Sequence, residues 1–220
     1  MKALNKVITS IPASVTIALN AKANELIAKG EKVLKFGIGE PDFNTPDNVK
    51  DAGKKAIDGN KTKYTAESGV PELKDAIVKK LKRENGLDYP AKQVIASCGA
   101  KHSLYNAFAV LLEKGDEVII PVPAWFTFAE QVKIFGGRPV FVDNDENYKI
   151  VAGNIAGAIT EKTKAILVNS PSNPSGSIIE KNELEKIAEL AVENDIYVIS
   201  DECYEHFSFS KSSFTKGLLL

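Results

Sequence analysis

Residues 181–204 read KNELEKIAELAVENDIYVISDECY, and the fold can be built outward from them. Leu184, Ile187, Ala188 and Ala191 share a face at helical spacing, so 181–194 predicts an amphipathic helix. Ile196-Tyr197-Val198-Ile199-Ser200 is a short buried-strand pattern, and a carboxylate, Asp201, follows it at once. Upstream the same alternation repeats. Strand candidates fall at 94–97, 118–121, 139–142 and 165–168, and helical segments at 101–112, 125–135 and 154–159 separate most of them. Apolar strands alternating with helices predict an α/β fold, a mostly parallel sheet with helices on both faces.

Further towards the N-terminus, 14–29 reads as a helix with Leu19, Ala23, Leu26 and Ile27 on one face and Gly30 as its stop. A short extended piece at 33–36 leads into the loop Gly37-Ile38-Gly39-Glu40-Pro41-Asp42. Pro71 opens another helix, carrying Leu73, Ala76, Ile77 and Leu81, and Gly86 closes it. Residues 1–45 stand outside the strand–helix rhythm and are expected to form an arm plus part of a small domain. Residues 46–220 are expected to form the large domain, incomplete at its C-terminal end.

The 220 residues carry 28 basic and 29 acidic side chains, well mixed, for a net charge of -1. No basic stripe points to nucleic acid. Apolar runs such as 118–123 are too short to cross a bilayer, and the first residues lack a signal-peptide pattern. Cys98 and Cys203 form neither a C-x-x-C pair nor part of a Cys/His cluster, so no metal site is expected and a reducing cytoplasm is the simplest reading.

In an open α/β sheet, ligands bind outside the carboxyl ends of the strands, so the residues that follow each strand matter most. Ser97-Cys98-Gly99-Ala100-Lys101 is a small-residue turn opening a helix. Free N–H groups and the positive helix end suit a phosphate, with Lys101 adding charge, although a tight turn alone would also need Gly99. Trp125 follows the second strand, where it either packs or stacks on a flat ring. Asn169-Ser170-Pro171-Ser172-Asn173-Pro174-Ser175-Gly176 is a stiff loop presenting side-chain amides. Asp201 ends a buried strand, where a carboxylate is costly unless it meets a cation, a metal or several donors. Taken alone, it serves equally as a cap or a magnesium ligand. Taken together, a phosphate seat, an aromatic plate, donors for a ring oxygen and a carboxylate for a ring nitrogen meet the demands of pyridoxal 5′-phosphate.

The motifs Gly37-Ile38-Gly39-Glu40-Pro41-Asp42-Phe43, Lys63-Tyr64-Thr65, Ser68-Gly69-Val70-Pro71-Glu72-Leu73, Gly99-Ala100-Lys101, 169–176 and Ser200-Asp201-Glu202-Cys203-Tyr204 occur in this order. In that order they resemble the class I pyridoxal-phosphate-dependent aminotransferases, most closely the aspartate aminotransferases. The resemblance covers essentially the whole chain. It implies that Gly39 contacts the substrate's α-carboxylate and that Gly99, Ala100 and Lys101 seat the phosphate. It implies further that Trp125 stacks on the cofactor, that Asn173 and Tyr204 bond the ring hydroxyl, and that Asp201 pairs with the pyridinium. Trp125 and Asn173 also face the substrate in this picture. Tyr64 resembles the tyrosine that reaches the neighbouring subunit's phosphate site, which implies a homodimer. Ser175 stands where the family usually has Thr. Cys203 replaces a usual aliphatic residue and is read as a small buried hydrophobe. His102 and His206 match no catalytic position and are read as structural or exposed.

The family's reaction, transfer of an amino group from an amino acid to a 2-oxo acid, needs a Schiff-base lysine one strand beyond Asp-x-x-Tyr. Lys211 is not expected to be that lysine, because no strand separates it from Asp201 and 205–215 matches the family's exposed hairpin. The three leucines 218–220 fit a chain that stops before the lysine. These residues alone are therefore expected to be inactive. Two other readings stand beside this one: a non-catalytic remnant that binds cofactor weakly or serves in assembly, and a magnesium-dependent phosphotransferase using Asp201.

Overall fold

A computed structural model describes residues 2–37 and 39–208. The chain divides between Thr65 and Ala66 into two compact units.

The first unit holds α1 (Lys6–Ser10), α2 (Val15–Ala28) and α3 (Asp47–Asp58). The Asn5 side chain caps α1 by accepting from Val7 N–H at 2.9 Å, and the Ser14 hydroxyl caps α2. On α2, Ala23 and Leu26 are half-buried, whereas Leu19 and Ile27 are exposed. Helix α3 had no counterpart among the expected elements. Val49, Ala52, Ala56 and Ile57 do recur there at helical spacing, but that stripe stays almost wholly exposed, with only Ala56 partly covered.

The second unit starts with α4 (Pro71–Lys80), a π-helical turn (Leu81–Asn85) and Gly86 in the left-handed region at φ 72. Next come α5 (Ala100–Leu111), β1 (Glu117–Val122), α6 (Thr127–Ile134), β2 (Arg138–Asp143), α7 (Ala152–Ala156), β3 (Thr163–Asn169), α8 (Lys181–Glu193) and β4 (Tyr197–Asp201). The four strands pair in parallel in the order β2-β1-β3-β4. The expected strand at 94–97 is corrected: after the 3₁₀ turn Ala91–Gln93 the segment begins extended at Val94 but enters no ladder among the described residues. Ala96 N–H donates instead to Ser68 O at 3.0 Å, and a strand exists only where a neighbour supplies a ladder.

The period of two along the strands divides the core between the sheet's faces. Ile119, Ile166 and Val168 face α7 and α8 and pack with Ile155, Leu184 and Ile187. Val118, Ile120, Ala165 and Leu167 face α5 and α6 and pack with Leu104, Phe108, Phe128 and Val132. Central β1 and β3 are buried nearly throughout, while edge strands β2 and β4 are largely half-buried or exposed. Fully buried Ile187 contributes about 1.5–3 kcal/mol from its apolar surface. At the amino end of the sheet, buried Glu117 bonds the Arg138 guanidinium and the Thr160 hydroxyl, tying β1 to its neighbours.

Chain order fixes where a ligand fits. The chain leaves β1 through α6 to β2 on one side, then returns through α7 to β3 and on through α8 to β4 on the other. The direction of winding reverses between β1 and β3, the switch point of an open α/β sheet.

Candidate active site

Parallel pairing brings the segments following β1, β3 and β4 to one edge of the sheet. Asn169 and Asp201 are register partners at the ends of β3 and β4. The Asn169 amide donates to Asp201 O at 3.1 Å, and Ser170 N–H donates to the same oxygen at 3.2 Å. The Asn169 Oδ1 accepts Asn173 N–H at 2.8 Å, which fixes the loop 169–176, whose Ser170–Pro171 and Asn173–Pro174 bonds are cis. From this loop the Asn173 amide reaches the Tyr204 hydroxyl at 3.4 Å. Three of the expected site residues, Asn173, Asp201 and Tyr204, therefore belong to one network. Asn169, which joins them, reads in the sequence as part of a turn. Its signal was an amide side chain at the last position of a buried strand.

Asp201 is half-buried, and burial pushes its carboxyl pKa upward against a hydrogen bond from Cys203 N–H at 3.1 Å. The carboxylate is thus short of positive partners. Burial also pushes up the neighbouring Glu202 carboxyl, while a hydrogen bond from Ser200 opposes it. The expectation that Cys203 is buried is overturned: it lies exposed in the turn after β4, where no second layer covers it.

Gly99 caps α5 with φ 82 and ψ 166 and no side-chain cap bond. The first N–H groups of a helix lack intrahelical partners and carry positive charge, so this end suits an anion. The Gln131 amide of α6 donates to Lys101 O at 3.0 Å and ties the turn to the next helix. The Lys101 ammonium lies 5.0 Å from the centre of the Trp125 ring, and half-buried Trp125 packs edge-on against Phe128. His102 is exposed, its Nδ1 accepting from Cys98 N–H at 3.3 Å, and His206 is exposed as well. Gly39 and Tyr64 lie in the first unit, both exposed there. Lys211 and the leucines 218–220 fall outside the described residues.

The segments after β1, β3 and β4, carrying Trp125, Asn173 and Asp201, thus lie at the carboxyl ends of the strands of an open parallel α/β sheet, where such sheets bind ligands. Comparison with known proteins agrees. The family model described as aminotransferase class I and II matches residues 31–219. The aspartate aminotransferase of Bacillus sp. (strain YM-2) is 48% identical over 95% of this chain and 56% of its own length. A probable aspartate/prephenate aminotransferase of Aquifex aeolicus is 44% identical over 97% of this chain and 55% of its own. Among solved structures, the Thermus thermophilus aspartate aminotransferase with maleate superposes with a TM-score of 0.94 at 41% identity, over 99% of this chain and 57% of that one. The alanine aminotransferase of Pyrococcus furiosus gives 0.93 at 34%, over 99% and 56%. The chain belongs to the class I and II aminotransferase family, and it spans slightly more than half the length of these relatives.

Proposed function

We propose that this chain carries the cofactor-holding part of an aminotransferase that moves an amino group between an aspartate- or glutamate-like amino acid and a 2-oxo acid, with pyridoxal 5′-phosphate as cofactor. The observation that carries this reading is Asp201, a half-buried carboxylate held at the sheet edge beside the Asn173–Tyr204 pair. Its raised pKa falls when a cation faces it, and a protonated pyridine nitrogen is such a cation.

The residues fit the group. The N–H groups at Gly99, Ala100 and Lys101 would hold the phosphate, Trp125 one face of the ring, Asn173 and Tyr204 the ring hydroxyl, and Asp201 the ring nitrogen. Bound there, the cofactor supplies an electron sink for charge developing at the substrate's Cα. Asp201 keeps a proton on the ring nitrogen, Trp125 excludes water from one face, and Asn173 and Tyr204 orient the ring. Gly39, with Trp125 and Asn173, is assigned to the substrate. No residue of this chain is assigned the proton transfer at Cα, so cofactor binding without turnover is expected of these 220 residues alone.

A homodimer is the proposed working unit, with Tyr64 lending its hydroxyl to the partner's phosphate seat. Its side chain is fully exposed in the single chain, which supports this role. A reducing, cytoplasmic setting is in keeping with two free thiols, Cys98 and Cys203. No helix among the described residues is long and apolar enough to cross a membrane.

Calorimetric titration with pyridoxal 5′-phosphate and, separately, with magnesium chloride tests the reading. Saturable cofactor binding that inorganic phosphate weakens is the expected result. Magnesium binding without cofactor binding would return Asp201 to the phosphotransferase reading.

A further inference from the structure

The turn that carries Tyr204 is anchored from behind by side chains with no part in the proposed chemistry. Glu205 is mostly buried, its side chain 11% exposed. Its Oε1 pairs with Lys80 Nζ, and its Oε2 accepts from Asn85 Nδ2 at 2.9 Å. Lys80 also donates to Asn85 Oδ1 at 2.9 Å, so the three side chains close a ring. Lys80 ends α4 and Asn85 ends the π-helical turn.

That turn explains how both reach one carboxylate. Five residues along an α-helix differ by roughly 140° about the axis, which points the two side chains apart. The wider π turn, with its i→i+5 bonds, brings positions 80 and 85 to one side. Such turns occur mostly as single insertions and frequently at functional sites. Glu84 and His206 border the ring. Lys80 lies 3.9 Å from Glu84, and His206 Nε2 lies 3.5 Å from Glu205 and 3.7 Å from Glu84. Glu84, Glu205 and His206 have the spacing of a metal cluster, but the Lys80 ammonium already neutralises the Glu205 carboxylate. Burial disfavours ionisation of Glu205, yet the bonds from Lys80 and Asn85, aided by charge, hold its pKa below the usual range.

Building on the cofactor reading above, we propose that the Lys80–Asn85–Glu205 ring is a positioning device: it fixes the turn 202–207 so that Tyr204 and Asn173 together address the cofactor's ring hydroxyl. Anchoring passes along the backbone, because Glu205 N–H donates to Glu202 O at 3.0 Å and Phe207 N–H to Tyr204 O at 2.8 Å. Glu205 touches no cofactor atom in this account and acts through Tyr204.

The test compares the wild-type chain with Glu205→Ala and Glu205→Gln. In the Ala variant, amide hydrogen exchange at position 205 and at Phe207 should rise on the order of tenfold, the loss of about one charge-assisted bond, with β1 and β3 unchanged as the control for folding. Affinity for added pyridoxal 5′-phosphate should fall by a similar factor. The bound cofactor's ring hydroxyl, followed by absorbance, should titrate at higher pH because its ionised form loses a donor. Gln retains an acceptor for Asn85 and should restore part of each effect, which a loss of overall stability would not do. If the wild type binds cofactor and the Ala variant matches it in exchange and titration, this proposal alone falls. If the wild type does not bind, the cofactor reading falls and takes the proposal with it.

Discussion

Asn169 and Asp201 stand opposite each other at the ends of β3 and β4, and the Asn169 amide donates to the Asp201 carbonyl at 3.1 Å while its Oδ1 accepts Asn173 N–H at 2.8 Å. One buried side chain thus fixes both the backbone of the carboxylate assigned to the ring nitrogen and the loop assigned to the ring hydroxyl. Asn169→Leu leaves Asn173 N–H without its partner and should cost about 1–3 kcal/mol, read as a lower urea midpoint. An unchanged midpoint would mean that water replaces the bonds at no cost.

At Gly99 the backbone takes φ 82 and ψ 166, a region essentially reserved for glycine. A Cβ there meets nothing within 4 Å, so Gly99→Ala tests conformation without a clash. The expected loss is about 1–3 kcal/mol by urea unfolding, together with weaker binding of inorganic phosphate. A neutral substitution would show that the turn relaxes freely.

The Asp201 carboxyl has a raised pKa in the folded chain, so the fold prefers it protonated. Stability is then lost as pH rises from the unfolded value, about 3.9, through the raised folded value, and the cost is complete once pH lies above the folded value. Asp201→Asn should therefore raise the urea midpoint at pH 7, with the gain shrinking on acidification. A lower midpoint at pH 7 would mean that the carboxylate already has a compensating cation.

Trp125 is the single tryptophan, and the Lys101 ammonium lies 5.0 Å from its ring centre. Lys101→Met should change the emission of the chain while lowering stability by no more than about 1 kcal/mol, as suits an exposed cation–π pair. Unaltered emission would separate the two residues in solution.

Much of the architecture could be read in advance because it depends on local periodicity. The helix carrying Leu184, Ile187 and Ala191 and the strand at 197–201 both formed where their apolar spacing placed them. Features that depend on distant partners were not legible. The segment 94–97 has strand-like composition but no ladder neighbour among the described residues, and Cys203 has a hydrophobe's character but no covering layer. The role of Asn169 needed the register of two strands far apart in sequence. The Lys80–Asn85–Glu205 ring spans 125 residues and rests on a π turn that no spacing rule anticipates.

The central claim, that this chain holds pyridoxal 5′-phosphate between Trp125 and Asp201, is tested most directly by the fluorescence of Trp125 during cofactor titration. The account predicts saturable quenching in the wild type and an affinity lower by at least about tenfold in Asp201→Asn, which loses its charged partner for the ring nitrogen. Absence of saturable quenching, or equal affinity in the two proteins, would contradict it.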